Sequence, residues 1–148
     1  MISVPSPLPI SASSPASFAW QTRVYYEDTD AGGIVFYANY LKFFERARTE
    51  WLRAGGIDQS RLSVDTGTLF VVRRTAVDYH APARLDDLLR IESHVARMGR
   101  ASVEFEQHAF RAGDRLCSGT ILVACVHATT LRPTGLPPPV IAALQHEH

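Results

Sequence analysis

The stretch Tyr25-Tyr26-Glu27-Asp28-Thr29-Asp30-Ala31-Gly32-Gly33 sets two carboxylates two residues apart and follows them with adjacent glycines. Such a pattern could serve three kinds of chemistry. Asp-x-Asp before glycine resembles the start of a calcium loop, with Asp28 and Asp30 in the first and third positions. The fifth position would then be Gly32, which has no side-chain oxygen, and the twelfth would be Asn39, where a bidentate Glu is needed. Metal is therefore not expected. In the second reading the carboxylates tie loop amides and lead into a helix, as short acidic side chains commonly do. This is the reading for Asp28, a supporting residue. In the third reading a carboxylate faces a carbonyl whose oxygen is already polarised. Asp30 is placed to supply that attack, Gly32 and Gly33 leave room for a substrate, and the first turn of a following helix offers orphan N–H groups to a developing oxyanion.

These residues need elements to position them. Alternation over residues 18 to 26, with Trp20, Thr22, Val24 and Tyr26 on one face, predicts a first strand. From about Tyr37 to Ala54, Tyr40, Phe44, Ala47 and Trp51 recur at helical spacing, and Gly55-Gly56 supplies a stop. Four further strands are predicted over residues 68 to 79, 88 to 98, 101 to 111 and 117 to 130, with turns at Pro82, Gly99 and Gly113. A short helix is predicted from Pro139 to about Leu144. The order is an α+β pattern, in which an antiparallel five-stranded sheet must share the apolar surface of one long helix. Such a sheet leaves edges, which invite pairing with a second copy into a homodimer with a continuous sheet.

The chain has 148 residues, 46% hydrophobic and 20% charged, which suits one globular domain. Residues 1–17 are rich in Ser and Pro and are expected to form a disordered arm ahead of a domain over 18–148. The arm lacks the basic start and unbroken apolar run of a signal peptide, and no run is long enough for a transmembrane helix. With zero formal net charge and no basic run, nucleic acid is not an expected partner. Cys117 and Cys125 lie eight residues apart in one strand and cannot pair there, so a reducing, cytoplasmic setting is expected. His80, His94, His108 and His127 lie on separate strand segments without metal-ligand spacing, and Ser102 and Ser118 lack a nucleophile-elbow context. No cofactor follows from these residues.

The segment from Tyr25 to Leu52 resembles the signature of the hotdog-fold thioesterases of the 4-hydroxybenzoyl-CoA type. Together RVYYEDTDAGG, FFERARTEWL, FVVR and YHAPARLDD are similar to the branch of acyl-CoA thioesterases that accompanies the Tol-Pal envelope system. The resemblance spans about residue 20 to residue 140. It implies a hotdog fold, a sheet wrapped around a central helix, assembled as a dimer or tetramer. It also implies hydrolysis of an acyl-CoA thioester to free acid and CoA, by Asp30 as the catalytic carboxylate and the backbone N–H of Tyr37 as oxyanion donor, with Gly33 nearby. Many members of the Tol-Pal branch carry His where this chain has Tyr37, so no proton-transfer role carries over. Tyrosine there is similar to the 4-hydroxybenzoyl-CoA enzyme, which makes aromatic acyl-CoA an alternative substrate. Asn39, Tyr40 and Glu45 are adjacent polar candidates, and Arg97 and Arg100, beside the tight RMGRAS turn, are candidates for the phosphates of CoA. Phe70, Val71 and Val72 are candidates for an acyl pocket. A binding partner for acyl-CoA or acyl carrier protein, associated with envelope or phospholipid machinery, is the rival from a different class.

Overall fold

Alternating apolar side chains on long strands bury one face of a sheet, and the helical stripe supplies the surface that covers it. The computed structural model describes residues 16–145. Most of the expected Ser/Pro arm, together with His146 and His148, lies outside the described residues. The strands are β1 (Ser17–Arg23), β2 (Thr68–Tyr79), β3 (Leu88–Met98), β4 (Ser102–Arg111) and β5 (Asp114–His127). They form one antiparallel sheet in the order β1-β3-β4-β5-β2, so β1 and β2 are its edges.

Helix α1 (Asn39–Ala54) lies on the inner face and buries Tyr40, Phe43, Phe44, Ala47, Trp51 and Leu52 among inward strand residues such as Leu89, Ile91, Phe105 and Ile121. The contact is close enough that one strand position must lack a side chain. A Cβ on Gly119 of β5 would stand 2.9 Å from the Phe44 ring. One polar tie crosses the same layer. Gln107 of β4 is fully buried, and its amide donates to the Phe44 carbonyl at 3.0 Å and to Ser93 Oγ at 2.8 Å. Its Oε1 accepts from Arg48 of α1 at 2.9 Å. Every polar atom of this side chain is thereby satisfied, as burial demands.

Several boundaries differ from those the sequence predicts. β1 starts at Ser17 and stops at Arg23, because the chain turns into a 3-10 segment over Tyr26–Asp28 and leaves Tyr26 exposed. α1 starts at Asn39 instead of Tyr37, because Phe36 and Asn39 close a turn of their own ahead of it. β5 runs from Asp114 to His127, earlier at both ends than expected. α2 (Gln59–Thr66) was not expected from apolar periodicity, since Leu62 is its one buried residue. Capping defines it instead: the Asp58 carboxylate accepts from the N–H groups of Ser60 and Arg61, and Gly67 ends it at φ 69° in the left-handed region. α3 (Pro138–Gln145) closes over the end of α1, burying Val140, Ala143 and Leu144.

The Gly119–Phe44 approach predicts that Gly119→Ala lowers stability by about 1–3 kcal/mol, the usual cost of overpacking a core. Chemical denaturation of the two proteins measures it, and an unchanged midpoint would mean that α1 can lift off the sheet at no cost.

Candidate active site

The Asp-x-Asp segment is folded by its own hydrogen bonds into a tight excursion between β1 and α1. The Phe36 N–H donates to the Asp28 carbonyl at 3.0 Å, and the Asp30 N–H donates to the Ile34 carbonyl at 2.8 Å. This pairing sets Asp30 and Tyr37 at the same end of α1. Asp28 holds the excursion from beneath. It is 4% exposed, and its carboxylate accepts from the Tyr25 N–H and from the Asn39 side-chain amide, each at 2.9 Å. One acid thus ties the entry of the loop to the first residue of the helix.

Asp30, two residues on, lies at the surface. Its Oδ1 accepts the Gly32 N–H at 2.8 Å, and its carbonyl accepts the Gly33 N–H at 3.0 Å. Among the described residues its Oδ2 has no protein partner. Gly33 has φ 79°, a left-handed conformation suited to glycine, and open space where a side chain would stand. A carboxylate steadied by one backbone bond and open on its other oxygen suits attack or proton abstraction.

The start of α1 supplies the opposite polarity. No side chain caps it and no acidic residue occupies its first turn, although the Asn39 and Leu41 N–H groups donate to the Phe36 and Ala38 carbonyls and the Asp28 carboxylate lies against the Asn39 side chain. The Tyr37 N–H makes no protein hydrogen bond among the described residues, while its carbonyl accepts from the Tyr79 hydroxyl at 3.0 Å. Tyr79 ends β2 and was not singled out in the sequence. Its ring packs against those of Tyr37 and Tyr40 at 6.1 and 5.7 Å. Nothing in sequence spacing announces that contact, because it joins positions separated by 42 residues.

Asn39 and Tyr40 are both buried, and each makes a side-chain hydrogen bond within the chain. Asn39 holds Asp28, and the Tyr40 hydroxyl accepts the Ala83 N–H at 3.0 Å. Burial pushes the Tyr40 phenol up from its ordinary value, with the Ala83 bond pulling the other way. Glu45 is exposed on α1 and accepts from the Thr49 hydroxyl. Arg97 and Arg100 flank the β3–β4 turn, exposed and without an ion pair among the described residues. Within one chain they do not meet Asp30. The Asp30 loop adjoins the Leu88 end of β3, where the Val24 N–H bonds the Asp87 carbonyl, and the turn follows Met98 at the other end. A strand of 11 residues, roughly 35 Å at about 3.3 Å per residue, lies between.

Other reactive groups are placed elsewhere. Cys117 and Cys125 are buried free thiols on β5, and burial pushes Cys117 up to about 12, far from a thiolate at neutral pH. On the outer face of the sheet, the Ser118 hydroxyl lies 3.2 Å from His80 Nε2 and 2.9 Å from His108 Nδ1, a grouping that only strand pairing creates. Among the described residues no cluster of His, Cys, Asp and Glu is arranged to hold a metal.

A five-stranded antiparallel sheet wrapped on one long helix is the architecture of the hotdog fold. The chain belongs to the thioesterase superfamily, whose family pattern matches residues 32–118. It is 46% identical to an acyl-CoA thioesterase of Haemophilus influenzae over 129 residues, 87% of this chain and 95% of the relative. It is 44% identical to an acyl-CoA thioester hydrolase of Escherichia coli over 126 residues, 84% of this chain and 93% of the relative. The crystal structure of a probable thioesterase from Bartonella henselae superposes with a TM-score of 0.77 at 34% identity, covering 82% of this chain and all of that one. A second structure, a protein of Aquifex aeolicus, gives a TM-score of 0.79 at 27% identity, covering 86% of this chain and 98% of that one.

Asp28→Ala would leave the Asn39 amide and the Tyr25 N–H without their acceptor, so the expected loss of stability is about 2–4 kcal/mol. Urea unfolding measures it. A loss below about 0.5 kcal/mol, the range of ordinary surface substitutions, would show that the loop is held by other contacts.

Proposed function

We propose that this thioesterase hydrolyses acyl-CoA to free acid and CoA, with Asp30 as the catalytic carboxylate and the Tyr37 N–H as oxyanion donor. The observation that supports this reading is the pairing of residues 28 and 30 with residues 36 and 34, which folds a loop with an open carboxylate back onto the segment that carries the unpartnered Tyr37 N–H, two residues ahead of α1. The acyl-CoA relatives support the substrate class. Asp30 either attacks the thioester carbonyl, giving an anhydride that water cleaves, or removes a proton from an attacking water. Both routes place negative charge on the carbonyl oxygen, where one oriented donor contributes about 2.7–4 kcal/mol in the transition state. CoA leaves as the thiol.

A homodimer completes this site. β2 is a 12-residue edge with one side unpaired, and Val71, Val72 and Tyr79 on it are exposed. An unpaired strand of that length favours addition of a second copy. Antiparallel pairing about a two-fold axis would lay the Tyr79 end of one β2 beside the Thr68 end of the other. The Asp30 loop of one copy would then share an end of the joined sheet with the partner's β3–β4 turn, where Arg97 and Arg100 can meet the phosphates of CoA. The exposed rings of Phe36, Tyr37 and Tyr79 beside the loop favour a second reading in which the acyl group is aromatic. Cytoplasmic location rests on the two free cysteines and service to the Tol-Pal system on sequence resemblance, and co-purification with Tol-Pal components from cell extracts tests the association.

CoA release by the wild type and by Asp30→Asn over short, long and aromatic acyl-CoA tests the assignment. The substitution is expected to lower kcat by roughly 10²–10⁴-fold without unfolding the protein. An unchanged rate removes Asp30 from the mechanism, and binding without turnover by the wild type favours an acyl-CoA or acyl-carrier-protein binding role. Tyr79→Phe frees the Tyr37 carbonyl; kcat should fall about three- to tenfold at nearly constant KM, matching the loss of one ordinary hydrogen bond. A rise in KM alone would make Tyr79 a binding residue.

A further inference from the structure

The Asp30 loop is not the only place where the fold sets a charge against apolar surface. A cavity of about 240 Å³ opens between α1 and the inner face of the sheet, toward the end of α1 that α3 covers. Its apolar walls include Leu52, Phe70, Val72, Phe105, Val123 and Leu144. Phe70 and Val72 were expected at an acyl pocket, whereas Val71, which alternates to the other face of β2, is not among the lining residues.

Arg48 stands in this wall. Its guanidinium lies 5.9 Å from the centre of the Phe105 ring and spends one N–H on the neutral Gln107 amide oxygen. Among the described residues no carboxylate pairs with it. A guanidinium has five N–H donors in a planar fork that matches a carboxylate, and taking it out of water without a counter-charge is costly. The cost shows in its acidity: burial lowers the Arg48 pKa to about 10, with the negative charge of Glu45 acting in the opposite sense. Glu45, Thr49 and Gln59 also line the cavity. Glu45 is exposed and accepts from the Thr49 hydroxyl, so its charge is screened by water, whereas Arg48 is half-buried with its guanidinium over the Phe105 ring.

We propose that this cavity binds the carboxylate end of a short apolar acid, with Arg48 as the anchoring cation. Two ligands share that chemistry. One is the free acid that hydrolysis releases, and the other is an acyl group of a CoA ester that carries a second carboxylate at its far end. The second case rests on the acyl-CoA reading above, since the two-fold pairing would bring the partner's Asp30 loop toward this end of the sheet. Arg48 then selects the substrate without touching the reacting carbonyl.

Calorimetric titration of the wild-type protein with hexanoate and with hexanamide, its neutral counterpart, tests the anchor directly. Hexanoate is expected to bind about tenfold or more tightly, the worth of one charge-assisted hydrogen bond, and Arg48→Met should level the two ligands. Equal binding of acid and amide by the wild type, or no binding of hexanoate, overturns the proposal whether or not the variant folds. CoA release then separates the sources. A higher kcat/KM on adipoyl-CoA than on hexanoyl-CoA, lost in Arg48→Met, identifies the far-end carboxylate. Equal rates on the two esters, with hexanoate inhibiting only when Arg48 is present, identify the released acid. If the wild type cleaves neither ester but still binds hexanoate through Arg48, the acyl-CoA reading fails and the carboxylate site stands.

Discussion

The buried carboxylate of Asp28 is the constraint around which the candidate site is arranged. A charged group removed from water is tolerated when its oxygens are satisfied, and here one partner comes from the chain entering the loop and the other from the first residue of α1. The two bonds fix the loop to the helix, so the exposed Asp30 inherits its position from the buried Asp28. The division of labour follows from burial. The enclosed acid holds structure, and the open one retains an oxygen for chemistry.

Helix α1 acts at both ends of this arrangement. The turn ahead of its start carries the unpartnered Tyr37 N–H, the proposed oxyanion donor, and its later turns carry Arg48 over Phe105 at the cavity wall. Gln107 joins the two roles by tying the Phe44 carbonyl and the Arg48 guanidinium to the sheet through one fully buried amide. Gly119 lets the sheet approach at the same level. Close packing of the helix therefore positions a polar donor at one end and a cation farther along, with no long loop needed to carry either.

The edge strand β2 links this chemistry to assembly. Tyr79, at its end, holds the Tyr37 carbonyl, so a strand free to pair with a second copy also touches the turn that carries the proposed oxyanion donor. The separation of Asp30 from Arg97 and Arg100 along β3 has the same implication. On the proposed reading, a substrate as long as CoA is held by two copies of the chain, one supplying the carboxylate and the other the basic turn.

The α+β order, the strands over 68 to 79 and 88 to 98, the long helix and the two-carboxylate loop were legible in the sequence because each is local: periodicity, turn residues and a motif lie within a short window. α2 was not, since its two caps define it and its apolar face is nearly empty. Arg48, Gln107 and Tyr79 escaped notice for a different reason. Each looks like an ordinary polar residue on a helix or strand, and its meaning comes from partners 42 to 63 residues away. The sequence by itself determined which residues could be buried and which loop could carry a reactive acid. Only the tertiary structure decided that Asn39 supports Asp28 and that Arg48 stands beside apolar residues with no carboxylate in ion-pair range among the described residues, because solvation and hydrogen-bond partners are set by what packs alongside.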